Sequence, residues 1–186
     1  MPDRDIFTFL DEVIEERFRI YPEGNLLVIR EKQPGASGQS VTLKTSGKTL
    51  AFSLDRNETS DFRVFPFFNR STPGINSKND AIIFCRKKND IYALLVELKS
   101  GTPGKFKMQL RSGKNFLDFL VATINLHYPV RLKVSCRGLL FDMSDNRRIP
   151  KKNETRRKKV VFRNDGGLEI ARLSCNEIYH LTRFLE

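Results

Sequence analysis

The sequence predicts an α/β domain, helices layered on a mixed sheet, and three observations lead there. Apolar residues recur at helical spacing over two long segments, one near the start and one at residues 105–126. Short β-branched and aromatic runs, punctuated by Gly, Pro and Asn, read as strands and hairpins. The order is helix, hairpin, hairpin, helix, strand, short strands, helix, which puts helices on a sheet instead of in a bundle.

Taken in order, Asp3 or Asp5 caps a first helix in which Ile6, Leu10, Val13, Ile14 and Phe18 share a face, stopped by Pro22 and Gly24. "NLLVIREK" is a strand before a Gly/Ser/Pro loop, and "VTLKTSGKTLAFSL" folds as a hairpin about Ser46-Gly47. Residues 61–79 are aromatic and irregular, with Pro66 and Pro73 interrupting any strand. Strands near 80–86 and 91–98 then turn at "KKND". The second helix, 105–126, presents Met108, Phe116, Leu117, Leu120, Val121 and Ile124, and its Gly113 predicts close approach to the sheet. "VRLKVSCRGLLFD" is a central strand, "VVFRN" and "GLEIARL" pair around Asp165-Gly166-Gly167, and Ser174 with Glu177 forms a capping box for a closing helix. The chain reads as a single domain over 1–186: a core of about 5–142, a basic loop at 144–159, and C-terminal strands and helix at 160–186.

The 186 residues are 39% apolar and 30% charged, the balance of a folded globular chain and not of a disordered one. Runs such as "AIIF" and "YALLV" are far short of a membrane span, and "MPDRDIFTFL" lacks the basic start of a secretory signal. Cys85, Cys136 and Cys175 stand alone in apolar runs, so buried thiols in a reducing, cytoplasmic setting are expected. The net charge of +11 is uneven: residues 1–60 carry −2, residues 61–145 carry +7 and residues 146–186 carry +6. That asymmetry points to a polyanion bound at one part of the fold, nucleic acid first among them.

The chemistry concentrates in "NDAIIFCRKKNDIYALLVELKSG". Asp80 opens one apolar strand, and Glu97-Leu98-Lys99 closes its partner. Alternation sets Glu97 and Lys99 on one face while Leu98 points into the core and offers its carbonyl at the same edge. Two carboxylates and a carbonyl suit a hard, water-rich Mg²⁺ (or Mn²⁺), which activates water and offsets charge on a phosphodiester. Lys99, a compact cation, then orients the water or steadies the phosphate. "ELK" is the sole Glu-x-Lys or Asp-x-Lys of the chain, and it closes an apolar strand.

Asp80, Glu97-Leu98-Lys99 and the helix beginning "KMQL" resemble the PD-(D/E)xK nuclease superfamily, best over residues 75–125. The resemblance implies a restriction-endonuclease-like αβββαβ core, a mixed central sheet flanked by helices, and a metal-dependent DNA endonuclease. It makes Asp80 and Glu97 metal ligands, with the Leu98 carbonyl, and Lys99 the catalytic lysine. Gln109 matches the glutamine of the following helix, and Glu16 is chosen as the additional acid of the first helix. Asn79 stands where the motif has proline. The plainer alternative makes Asp80 a turn cap, Glu97 and Lys99 a surface ion pair, and Gln109 merely polar. A non-catalytic nucleic-acid-binding or assembly subunit retaining the nuclease fold is the competing function.

Basic residues supply the expected phosphate contacts. Arg86, Lys87 and Lys88 lie at the hairpin turn, and Lys105, Lys107, Arg111 and Lys114 near the start of the second helix. Arg147, Arg148, Lys151, Lys152, Arg156, Arg157, Lys158 and Lys159 of the basic loop, with Arg163 beyond it, form a basic segment whose plainer alternative is a solvated charge run. DNA is preferred over RNA because no recognisable RNA-binding aromatic motif is present. Sequence-specific recognition by so short a chain calls for a homodimer or a partner protein. His127 and His180 each lack a companion for acid–base work, and "GTPGK" lacks the spacing of a phosphate loop.

Overall fold

The computed structural model describes residues 5–31, 39–54, 66–69, 71–99, 104–143 and 159–186. Their backbone runs α1 (Ile6–Val13), β1 (Arg19–Ile20), β2 (Leu26–Arg30), β3 (Ser40–Lys44), β4 (Thr49–Phe52), β5 (Ala81–Lys87) and β6 (Asp90–Lys99). After these come α2 (Phe106–His127), β7 (Val134–Asp142), β8 (Arg163–Asp165), β9 (Leu168–Ser174) and β10 (Ile178–His180). Seven strands form one sheet in the order β1-β4-β5-β6-β7-β9-β8, and β10-β3-β2 form a second.

The central strands are apolar on both faces, and the two faces bury against different partners. Ile82, Phe84, Ala93 and Leu95 join Ile6, Phe9 and Leu10 of α1 and Leu110, Leu117 and Ile124 of α2 in one core. Ile83, Cys85, Leu94, Val96 and Leu98 join Leu27, Ile29, Val41 and Leu43 of the small sheet in the other. The described residues therefore form three layers: two helices, the large sheet, the small sheet. β4, β5 and β6 run antiparallel, and α2 then carries the chain across to β7, parallel to β6.

Two helical expectations are corrected. The first helix stops at Val13 instead of running to Phe18, because Arg19 folds back and donates to the carbonyls of Asp11 (2.5 Å) and Ile14 (3.2 Å). That satisfies acceptors a longer helix would have used. A 3-10 turn, Glu16–Phe18, follows. At the other end, Ser174 closes β9 and caps nothing. β10 pairs in parallel with β3, and only a 3-10 turn, Leu181–Phe184, is helical. On α2, Leu110 is buried and Met108 is exposed, the reverse of Met108's expected place on the apolar face.

Gly113 is where α2 meets the sheet most closely. A Cβ there would collide with the side-chain amide of Asn79. Asn79 is itself buried and donates to the carbonyls of Ala81 (2.5 Å) and Val96 (3.4 Å), fixing the entry to β5.

Candidate active site

Asp80 sits just before β5, where the ladder with β6 is ending. Its N–H donates to Val96 O at 3.0 Å, and its Oδ2 accepts from Leu98 N at 2.6 Å. The carboxylate therefore stands in for the next backbone acceptor and is held against the end of β6. Because the N–H and C=O of one strand residue point toward the same neighbour, the Leu98 carbonyl also faces the Asp80 side.

Glu97 follows Val96 on the opposite face, the one α2 covers, and is completely buried. Lys99 Nζ lies 2.6 Å from Glu97 Oε1, yet neither Glu97 oxygen has a partner at hydrogen-bond geometry among the described residues. Burial foremost, and then the charge of Asp80, push the Glu97 carboxyl up to about 8, with Lys99 pulling the other way. Glu97 is thus paired with Lys99 and lies close enough to Asp80 to feel its charge. The ion pair exists, but it is interior and not the surface pair of the plainer alternative.

Gln109 reaches back from α2, its Nε2 3.5 Å from Lys78 O, so it touches the segment that delivers Asp80. Glu16 is exposed in the 3-10 turn before β1, and β4 lies between β1 and β5. The structure does not bring it to Asp80 and Glu97. Arg86, Lys87 and Lys88 occupy the far end of the hairpin, roughly 20 Å along the strand from Asp80 at strand rise. There Arg86 pairs with Asp5, and Lys87 donates to Leu185 O at 3.0 Å. Lys107 and Arg111 both pair with Asp165 in the β8–β9 hairpin, and Lys114 pairs with Asp118 along the helix. Lys105 precedes α2 and is exposed, as is Lys159. Arg147, Arg148, Lys151, Lys152, Arg156, Arg157 and Lys158 lie outside the described residues.

Sequence reasoning missed Asp142. It ends β7 directly across from Lys99, is buried, and accepts from Arg172 Nε at 2.5 Å. Its signal was the one that marked Glu97: an acid closing an apolar strand, here "GLLFD". Arg172 belongs with it, one strand further on β9.

Among the described residues no group of three or more His, Cys, Asp or Glu is placed to hold a metal ion. The donor set is two carboxylates, Glu97 buried and Asp80 half-buried beside it, hard oxygens of the kind a divalent cation takes. No protein-family model, curated protein or solved structure matches the chain. No helix among the described residues is long and apolar enough to cross a membrane.

Proposed function

We propose that this protein is a Mg²⁺- or Mn²⁺-dependent endonuclease that hydrolyses phosphodiester bonds in DNA. The observation that carries the reading is Glu97: a fully buried carboxyl group paired with Lys99 at 2.6 Å and close to a second carboxylate, Asp80. Burying such a group is costly for the fold, which makes a ligand a better explanation than a structural role. The backbone order α1, β4, β5, β6, α2, β7 supports a restriction-endonuclease-like αβββαβ core, with β1, β2 and β3 as additions.

Asp80 and Glu97 would hold the cation, with the Leu98 carbonyl on the same side as Asp80. When bound, the metal supplies Lewis-acid activation of water and charge relief at the phosphate. Lys99 is 16% exposed, so its ammonium can reach a substrate oxygen while its charge remains tied to Glu97. Gln109 steadies the strand entry that carries Asp80. The three free cysteines fit a cytoplasmic chain.

The test is incubation of the protein with supercoiled, linear, single-stranded and branched DNA, and with RNA, with and without Mg²⁺. DNA cleavage that stops on chelation is expected. Glu97→Ala and Lys99→Ala are expected to abolish cleavage and leave DNA binding within about twofold. Cleavage by both variants would sink the site assignment. A second readout is thermal: Mg²⁺ should raise the melting temperature of the wild type and do nothing for Asp80→Asn combined with Glu97→Gln. The absence of a third ligating side chain among the described residues favours, as second reading, a DNA-binding or assembly subunit that keeps the fold. That reading predicts salt-sensitive binding and no cleavage even with Mn²⁺.

A further inference from the structure

Between the first turn of α2 and the β8–β9 hairpin lies a groove of about 680 Å³. Lys107, Arg163 and Arg172 line it, over a floor that includes Leu140 and Ile170. Leu140 is the cross-strand neighbour of Glu97 on one side and of Arg172 on the other. The floor therefore begins one strand from Glu97, on the face that α2 covers. Arg172 is half-exposed, and it gives one donor, Nε–H, to the buried Asp142. Its two terminal amino groups make no hydrogen bond among the described residues, leaving the open fork of the guanidinium. The Arg163 guanidinium likewise has no ion pair among them. Asp165, the carboxylate that lines the groove, is already neutralised by Lys107 and Arg111.

We propose that this groove binds a backbone phosphate of the DNA strand being cut, with Arg172 as the bidentate donor, Arg163 as a second cation and Asp142 as the residue that positions Arg172. The inference rests on the nuclease reading for the identity of the strand. A planar fork matches a phosphate, and a carboxylate fixed behind it orders the side chain before the ligand arrives. An Arg–Asp pair with only a structural task would leave DNA affinity untouched.

The experiment separates the groove from the catalysis. Affinity for a short fluorescein-labelled DNA duplex is measured by anisotropy in EDTA, across a salt series, beside a cleavage assay in Mg²⁺. Arg172→Gln and Arg163→Gln are each expected to weaken binding roughly three- to tenfold and to flatten the log-affinity against log-salt slope by about one. Arg183→Gln, which removes an equal charge beside Tyr179 on the opposite side of the sheet, is expected to do neither. Asp142→Asn is expected to weaken binding without flattening the slope, since the phosphate contact persists but is poorly aimed. Thermal melts confirm folding, and the exposed Arg163 serves if the Arg172 variant does not fold. Affinities and slopes for Arg172→Gln and Arg163→Gln equal to those of Arg183→Gln overturn the groove, as does a wild type that fails to bind. Tighter binding by Asp142→Asn overturns its positioning role. Weakened binding in the variants of a wild type that never cleaves keeps the groove and rejects the nuclease.

Discussion

At the residue scale, Glu97 makes a pH prediction that needs no substrate. Its carboxyl titrates near 8 in the fold against an ordinary value of 4.5, so between those values the folded chain keeps a proton that the unfolded chain has released. A group raised in this way contributes stability that is complete below about 4.5 and is lost as pH climbs through about 8. Urea unfolding of the metal-free protein should therefore show stability falling across that window. Glu97→Gln, neutral at every pH, should flatten the fall and gain on the order of a few kcal/mol at its upper end. A wild-type profile as flat as the variant's would show that Glu97 is already ionised and paired. Asp80, Glu97 and Lys99 stood out in the sequence because charged residues bracketing apolar strands have no solvent-facing pattern to explain them, and the structure shows Glu97 buried and paired with Lys99. Asp142 carried the same mark but lacked a neighbouring lysine in sequence, and its partner Arg172 lies 30 residues away, supplied by a parallel strand. Cross-strand company of that kind is invisible to spacing. Glu16, the acid that the resemblance implies on the first helix, lies beyond the end of that helix.

At the element scale, the strands of the central hairpin and the second helix followed from pattern alone, since each is long and its apolar face is continuous. The closing helix did not. Ser174 and Glu177 form a sound capping box, and Leu181, Phe184 and Leu185 have helical spacing. A helix this short carries its nucleation cost with few bonds to offset it. Pairing of Ile178–His180 with β3 satisfies the same backbone groups and buries Tyr179 besides. The predicted role of Gly113 as a close-packing point is tested by Gly113→Ala. Alanine favours a helix interior by about 1 kcal/mol, but its methyl would drive into Asn79, and overpacking costs about 1–3 kcal/mol. Asn79 is buried and bonded to both central strands, so it has little room to retreat. Net destabilisation is expected in urea titration, and on the proposed nuclease reading cleavage would fall further than stability because Asn79 adjoins Asp80. A stabilised variant would mean that Asn79 can rotate away.

At the scale of the whole molecule, the large sheet has two sides that are covered by different elements. Asp80, Glu97, Lys99 and the groove beside Arg172 lie on the side of α2, while the small sheet and the C-terminal segment lie on the other side. Phe184 anchors that second side: it is fully buried, its ring is 5.9 Å from that of Tyr179, and its carbonyl accepts from Arg137 Nη1 at 2.6 Å. Arg137 in turn lies over the rings of Phe162 and Tyr92, tying the chain end to β6 and to the segment before β8. Phe184→Ala should therefore cost about 3–5 kcal/mol of global stability, the range for emptying an aromatic site in a packed core. Because both cores share β5, β6 and β7, unfolding should stay a single transition and shift as a whole. If the proposed groove binds DNA, affinity measured well below the lowered melting temperature should be unchanged, since the groove and Glu97 lie on the other side of the sheet from that anchor. A loss of affinity in proportion to the loss of stability would show that the C-terminal layer shapes the binding face through the sheet, and that the two sides are one mechanical unit.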